Sequence, residues 1–192
     1  MHQEPMTFDY RWERAVHQHA GKPFLLFRDD DGGTASWTYA EFDTIVSAVA
    51  ATLSAHGLRR GSAVHIALRN CPAFIAVWLA AARLGAVIVP VDPASTAYDV
   101  KQQVERTSPV LGICAKSRHE TYQSRLNELP IIALDETAQD LRPGSPLVAV
   151  PGRPRVAGEG LRAERALSQP CPTDRLAIMF TSGTTSQPRA SS

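Results

Sequence analysis

The stretch "AVHIALRNCPAFIAVWLAAARLGAVIVPV", residues 63–91, decides the fold of this chain. It opens with a short apolar run, residues 63–68, continues with apolar residues at helical spacing, and ends in the β-branched run 86–91. Pro72 suits the first turn of a helix, and Gly85 suits the position just after its end. The pattern predicts a strand–helix–strand unit whose two strands are parallel and joined by a right-handed crossover.

A transmembrane helix is the alternative interpretation of "AFIAVWLAAARLGAVIVPV", residues 73–91. A spanning helix needs about 20 apolar residues with few charges or none. Arg83 lies in the middle of the apolar run, and Gly85 and Pro90 would interrupt a helix. We therefore predict a helix, a turn and a strand, and no membrane span.

Strands and helices alternate on both sides of this unit. Upstream, "PFLLF" and "TASW" flank the polar turn "RDDDGG", which predicts a hairpin, and Thr38 and Glu41 then form a capping box for a helix. Downstream, "VLGICA" and "IIALD" are apolar strands, and "SRHETYQSRLNEL" is helical in pattern. Strands that are apolar on both faces predict an α/β fold, a mostly parallel sheet flanked by helices, with an N-terminal hairpin.

Three segments differ in composition. Residues 1–140 carry the alternation of strands and helices and are expected to form one α/β subdomain. Residues 141–172 are rich in Pro, Gly and Arg, which predicts a surface connection, with Val148 and Val150 as candidates for a short edge strand. Residues 173–192 contain a last apolar strand and a hydroxyl-rich loop.

Composition excludes several classes of protein. The apolar fraction of 44% and the charged fraction of 20% are ordinary for a globular protein, and the net charge of +1 gives no field that would recruit nucleic acid. Cys71, Cys114 and Cys171 are odd in number and form no CxxC pair, which favours free thiols in a reducing cytoplasm. The histidines show no metal-ligand spacing, and we expect no metal site. His65 lies on the strand 63–68 and is expected to pack near the end of the sheet.

The motif "TSGTTSQPR", residues 181–189, follows the last apolar strand. It combines hydroxyls with Gly183, which lets the backbone approach an anion closely, and with the planar guanidinium of Arg189. Such a loop at the carboxyl end of a strand suits a polyphosphate. A Ser/Thr-rich loop that only turns the chain remains the alternative. A Walker P-loop is excluded, because no glycine stands five residues after Gly183 and no Lys-Ser/Thr follows.

The motif "FTSGTTSQPR" resembles the phosphate-binding signature of the adenylate-forming superfamily, which includes acyl-CoA synthetases, luciferases and peptide-synthetase adenylation domains. The segments "WTYAEFD", "GLRRGSAVHIALRNCPAFIAVWLAAARLGAVIVPVDP" and "TDRLAIMFTSGTT" are similar to the family's N-terminal landmarks, in the family's order. Ser186 and the phrase "NCPAFIAVW" are most similar to the branch of carnitine- or crotonobetaine-CoA ligases and related ATP-dependent acyl-CoA ligases.

The resemblance implies a set of contacts to the phosphates of ATP. They fall on Thr181, Ser182, Gly183, Thr184, Thr185 and Arg189. Two residues depart from the usual motif. Ser186 occupies a usual glycine, and Arg189 replaces the usual lysine, which keeps the charge but changes its geometry. No catalytic residue can be assigned within these 192 residues.

The resemblance also implies a reaction for the complete enzyme. A small carboxylic acid attacks ATP to give an acyl-adenylate, and CoA then forms the thioester, with Mg²⁺ as a further cofactor. The family's remaining motifs would lie beyond residue 192, so we expect an N-terminal fragment that is inactive alone and binds ATP weakly at most. The alternative is a non-catalytic α/β remnant that binds a nucleotide or a partner protein. Because early strands pair with later ones in the family, we also expect an unpaired sheet edge and self-association.

Overall fold

The computed structural model describes residues 7–123, 129–148, 170–181 and 189–191. Its helices are α1 (Phe8–His19), α2 (Tyr39–Ala55), α3 (Pro72–Arg83), α4 (Ala97–Thr107) and α5 (His119–Gln123), with 3₁₀ turns at Lys116–Arg118 and Ala138–Leu141. Its strands are β1 (Pro23–Arg28), β2 (Thr34–Thr38), β3 (Ala63–Ala67), β4 (Val87–Pro90), β5 (Leu111–Ala115), β6 (Ile131–Leu134), β7 (Met179–Thr181) and β8 (Arg189–Ser191). None of the helices in these ranges is long and apolar enough to cross a membrane.

Four strands form one parallel sheet in the order β4-β3-β5-β6. The chain runs from β3 to its neighbour β4 and then returns past β3 to β5. Because parallel crossovers are right-handed, this reversal places α3 on one face of the sheet and α4 on the other. Strands β1 and β2 form a separate antiparallel hairpin. The predicted α/β fold, with a mostly parallel sheet, flanking helices and an N-terminal hairpin, is therefore confirmed.

The face of the sheet that α2 and α3 cover, called the first face below, is apolar. Its fully buried strand residues are Val64, Ile66, Ile88, Leu111, Ile113 and Leu134, and the helices add Phe42, Val46, Val49, Leu53, Ala76 and Val77. Side chains that alternate along each strand supply this face, as strand geometry requires. Burial of each large apolar side chain stabilises the fold by about 1.5–3 kcal/mol.

The opposite face, called the second face below, is covered by α4 and α5. Val100 and Tyr122 pack there against Ala67 and Cys114 in a smaller apolar cluster. His65 lies between Val64 and Ile66 in sequence, so its side chain is directed to this face.

Capping boxes fix the start of one helix on each face. In α2, the Thr38 hydroxyl accepts from the Glu41 amide at 3.3 Å, and the Glu41 carboxylate accepts from the Thr38 amide at 2.8 Å. Thr96 and Asp99 repeat this arrangement at the start of α4. Each box satisfies two amides that the first helical turn leaves without a partner.

Arg83, the charge within the long apolar stretch, ties three helices together. Its Nη2 donates to Asp43 Oδ1 in α2 at 2.6 Å, and its Nε donates to Asp9 Oδ1 in α1 at 3.3 Å. The Trp12 indole donates to the same Asp43 oxygen at 2.7 Å. The arginine is thus paired at the helix junction, which explains a charge inside an otherwise apolar run.

Three expectations are corrected or only partly met. The predicted helix over 117–129 begins as a 3₁₀ turn, and its α-helical part ends at Gln123, while residues 124–128 lie outside the described residues. Val148 lies in a bend rather than in an edge strand. His65 was expected near the end of the sheet, but it is the middle residue of the interior strand β3 and is completely buried.

Candidate functional site

The segment that leads into the candidate loop lies along the outer edge of β4. The Ile88 amide donates to the Leu176 carbonyl at 2.9 Å, and the Ile178 amide donates to the Ile88 carbonyl at 2.8 Å. These two hydrogen bonds form a parallel bridge between Ile88 and Ala177. The segment therefore runs beside the parallel sheet in the direction of the sheet strands.

This direction places Thr181, where the candidate loop begins, toward the carboxyl end of the sheet. Thr181 follows Ala177 by four residues, whereas Pro90, the last residue of β4, follows Ile88 by two. At about 3.3 Å per strand residue, the end of β7 is displaced toward the carboxyl ends of the parallel strands. In open α/β sheets ligands bind outside these ends.

Strands β7 and β8 form a short antiparallel hairpin that closes the candidate loop at its base. Thr181 is the register partner of Arg189, and Phe180 is the partner of Ala190. The structure thus brings together the backbones of the first and last predicted phosphate contacts. The other predicted contacts, Ser182, Gly183, Thr184 and Thr185, lie outside the described residues.

Side chains around the bridge contact both faces of the sheet, and Leu176 and Ala177 pack against the apolar cluster of the first face. Ile178 and Phe180 pack against the buried cluster of Ala63, Val87 and Val89 on the second face. Met179 between them is 51% exposed. The last strand was expected to be buried, and the structure shows instead that residues 176–178 and 180 are partly buried and that Met179 is exposed.

An ion pair anchors the same segment before it reaches the sheet. Arg60 donates to Asp174 through Nε at 2.9 Å and through Nη2 at 2.8 Å. Hydrogen bonding from Arg60 and from the Cys171 amide holds the pKa of Asp174 below its usual value. Sequence reasoning did not find this pair, because its partners are 114 residues apart.

The carboxyl ends of β3 and β5 form the point at which the strand order reverses, the usual ligand crevice of such sheets. Here Arg69 spans this edge: its Nη1 lies 2.9 Å from Asp30 Oδ2, and its Nε lies 2.9 Å from Glu136 Oε2. Glu136 also accepts from the Arg69 amide at 2.6 Å and adopts a left-handed φ of 61°. Asp30 was predicted to lie in a solvated turn; it is 84% exposed and still pairs with Arg69.

A buried polar triad, Gln103–His65–Tyr122, lies under the second face. His65 Nε2 is 3.1 Å from the Gln103 amide oxygen, and the Tyr122 hydroxyl is 2.9 Å from His65 Nδ1. Because the amide oxygen only accepts, Nε2 carries the proton and Nδ1 accepts from the tyrosine. Burial lowers the pKa of His65 to about 4, so the ring is neutral at physiological pH. Every polar atom of this ring is satisfied, which is typical of a structural histidine.

Two surface concavities lie away from the carboxyl ends. A cleft of about 400 Å³ is lined by Ala86, Asp174 and Leu176, among others, at the amino end of the sheet. An apolar groove of about 410 Å³ lies between α1 and α3, beside Trp12, Phe74 and Trp78. Within the residues that the structure describes, no group of three His, Cys, Asp or Glu side chains could hold a metal ion.

Comparison with protein families gives one match that spans nearly the whole chain. The model of the "AMP-binding enzyme" family matches residues 12–190. The chain is 32% identical over 163 residues to 4-coumarate–CoA ligase 3 of Oryza sativa, a match that covers 83% of the chain and 27% of that ligase. It is 24% identical over 189 residues to the crotonobetaine/carnitine–CoA ligase of Salmonella paratyphi B, a match that covers 93% of the chain and 34% of that ligase.

Solved structures show the same fold. The fatty acyl-adenylate ligase from L. pneumophila, crystallised with acyl adenylate and pyrophosphate, matches 96% of this chain and 29% of its own, with a TM-score of 0.68 and 18% identity. VinN matches 98% of this chain and 43% of its own, with a TM-score of 0.71 and 19% identity. The chain spans about a third of the length of the curated relatives named above.

Proposed function

Because the chain belongs to the AMP-binding enzyme family, we propose that it forms the ATP-phosphate-binding part of an ATP-dependent acyl-CoA synthetase. The parallel bridge between Ile88 and Ala177 supports this proposal most directly. It directs Thr181, the first residue of the hydroxyl-rich motif, toward the carboxyl end of the sheet, where α/β proteins bind nucleotides.

We assign the phosphate contacts to the loop that β7 and β8 enclose. They are Thr181, Ser182, Gly183, Thr184, Thr185 and Arg189. The pairing of Thr181 with Arg189 supports a closed loop, because it joins the two ends of this set. Main-chain amides and hydroxyls would donate to phosphate oxygens, and the Arg189 guanidinium would neutralise their charge.

In the complete enzyme a small carboxylic acid would attack the α-phosphate of ATP, releasing pyrophosphate, and CoA would then displace AMP. Fixed donors that face the phosphoryl oxygens stabilise the charge that develops there. Mg²⁺ would supply further charge neutralisation, but the described residues offer no cluster of metal ligands, so we assign none of them to it. Which carboxylic acid is used depends on parts of the relatives that this chain does not span.

Nucleotide binding by the 192-residue chain tests the proposal. We expect weak binding of Mg²⁺-ATP, in the millimolar range that corresponds to about −4 kcal/mol. Replacing Arg189 by Ala should weaken binding about tenfold, since one charge-assisted contact is lost, and Arg189→Lys, which introduces the family's usual residue, should retain most of it. Exposed Arg142→Ala is the matched control. Isothermal titration calorimetry measures the dissociation constant for Mg²⁺-ATP of the wild-type chain and of the three variants.

A folded chain that binds no ATP would contradict the proposal and favour the alternative, a non-catalytic module that packs against a partner. Carboxylate-dependent pyrophosphate exchange measures activity separately. We expect none from this chain alone, because it spans only about a third of its relatives' length. A cytoplasmic location and self-association through a sheet edge stay predictions, and size-exclusion chromatography tests the second.

A further inference from the structure

The ion pair between Arg60 and Asp174 joins two distant parts of the chain at the amino end of the sheet. Arg60 lies in the turn before β3, and Asp174 lies just before the segment that pairs with β4. Both guanidinium–carboxylate hydrogen bonds, at 2.8 and 2.9 Å, have the length of a charge-assisted fork. Asp174 Oδ2 also accepts from the Cys171 amide at 2.7 Å, so the carboxylate fixes its own turn as well.

Arg60 reaches Asp174 by passing over Gly85. A Cβ atom on Gly85 would lie 3.0 Å from Cγ of Arg60 and 3.5 Å from its Cβ. The two turns are also joined through the backbone, since the Gly61 amide donates to the Gly85 carbonyl at 2.9 Å. A side chain at this crossing would force Arg60 to shift by a few tenths of an ångström, and the φ of 63° at Gly85 favours glycine too.

Besides this ion pair, the segment after Asp174 is held by the packing of its apolar side chains and by a short backbone pairing. Within the described residues its pairing with β4 consists of the two hydrogen bonds around Ile88. A slip by one residue would move Ile178 and Phe180 from the second face of the sheet to the first, and Ala177 from the first face to the second. It would also change where the following loop leaves the sheet.

We propose that Arg60 and Asp174 are positioning residues that set the register of residues 176–178 against β4. Through this register they determine where the candidate phosphate loop leaves the sheet. The effect on the strand follows from the contacts above, whereas the effect on ATP rests on the proposed function. We call Arg60, Asp174 and Gly85 the Arg60 clamp.

Amide hydrogen exchange in the full 192-residue chain, followed by NMR, tests the clamp. Asp174→Asn and Arg60→Ala should each accelerate exchange of the Ile88 and Ile178 amides about tenfold, the loss expected for a charge-assisted hydrogen-bonded pair. Arg60→Lys should give a smaller acceleration, because lysine keeps the charge but not the fork. The Val110 amide, which donates to Ala63 on the other side of β3, is the internal reference. Unchanged exchange at Ile88 and Ile178 relative to Val110 would overturn the proposal.

Two glycine variants separate the clamp from general destabilisation. Gly85→Ala and Gly57→Ala both place alanine at a positive φ, 63° and 89°, but a Cβ at Gly57 meets no atom within 4 Å. Gly85→Ala should displace Arg60 and accelerate exchange at Ile88 and Ile178 more than at Val110. Gly57→Ala should change the three amides in parallel. Parallel changes in both variants would contradict the role of Gly85.

Titration with Mg²⁺-ATP distinguishes failure of the clamp from failure of the proposed function. If the wild-type chain binds ATP, Arg60→Ala should weaken binding at least threefold and Arg60→Lys should weaken it less. If Arg60→Ala binds ATP as tightly as wild type while its Ile88 and Ile178 amides exchange faster, the proposed effect of strand register on the position of the loop is wrong. If the wild-type chain binds no ATP while the exchange results hold, the proposed function fails and the clamp on the strand stands.

Discussion

The two faces of the parallel sheet are packed by different means. The first face, under α2 and α3, is a continuous apolar layer that includes Phe42, Ile66 and Leu111. The second face, under α4 and α5, has a smaller apolar cluster and places the buried polar triad Gln103–His65–Tyr122 beside it. Both faces receive alternate residues of the same strand β3.

The two faces illustrate two different contributions to stability. One depends on how much apolar surface is buried, and the other depends on whether each buried polar atom keeps its hydrogen-bond partner. Apolar contacts on the first face are non-directional and stabilise in proportion to the area removed from water. The triad stabilises only while each of its atoms keeps its partner, since an unpaired buried polar group is costly. We therefore expect the first face to determine most of the stability, and the second face to make the stability depend on pH.

Removing the completely buried ring of Phe42 from the first face should have the largest effect. Phe42 is completely buried, and its ring centroid lies 4.9 Å from that of Phe24 and 6.0 Å from that of Trp37. Phe42→Ala should lower the free energy of unfolding by about 4 kcal/mol, through lost transfer energy and a cavity. Urea denaturation at pH 7 measures this loss. Phe42→Leu keeps most of the volume and should cost about 1.5 kcal/mol or less. A loss below 2 kcal/mol for the alanine variant would contradict the apolar account of this face.

Acid should weaken the second face through His65. Burial lowers its pKa from 6.5 in the unfolded chain to about 4, so between these pH values the unfolded state binds a proton that the folded state excludes. Stability from this group is therefore complete above pH 6.5 and falls as the pH drops to about 4, by a total of about 3 kcal/mol.

Comparison with His65→Leu isolates this titration from that of the carboxylates. The variant should be less stable than wild type at pH 7. The difference between their free energies of unfolding should become smaller as the pH falls from 6.5 to 4. Ile66→Val, the next residue along the same strand, serves as the control, and its gap from wild type should not vary with pH. Urea midpoints at several pH values provide the data. If the difference in the free energy of unfolding between His65→Leu and wild type did not change with pH, the folded protein would accept a proton on His65 as readily as the unfolded chain does.

Deleting one hydroxyl from the triad should have the smallest effect. Tyr122→Phe leaves His65 Nδ1 buried without the donor that now lies 2.9 Å away, at a cost of about 1–2 kcal/mol. Tyr98→Phe, on a tyrosine that is 68% exposed, should change stability by less than about 0.5 kcal/mol. Thermal denaturation of the two variants gives the comparison. Equal effects would mean that the triad contributes no more than a surface hydroxyl does.

Local signals predicted most of the elements correctly. The capping box at Thr38 and Glu41, the apolar strand 63–68 and Pro72 at the start of α3 all stand where the sequence placed them. Each signal acts within one helical turn or one strand, so neighbouring residues suffice to establish it. The pattern over 117–129 was less reliable, because a short amphipathic segment is only marginally helical without packing.

The candidate site was predictable in part. Its loop was found from the motif at residues 181–189, and the family that the motif indicates is confirmed by the match over residues 12–190. The Arg60 clamp and the ion pairs of Arg69 with Asp30 and Glu136 were not predictable, because each joins residues that are far apart in sequence. Single charged residues in turns give no local indication of a distant partner.

The sequence by itself determined the alternation of strands and helices, the capped helix starts and the family, because these depend on periodicity and short motifs. Only the tertiary structure decided that His65 is a buried neutral ring. It also decided that Arg60 forms an ion pair with Asp174 across Gly85, and that residues 176–178 lie beside β4. These three features require atoms from separate elements to come within hydrogen-bonding distance. That proximity is created when the sheet orders its strands β4-β3-β5-β6, an order that no single segment encodes.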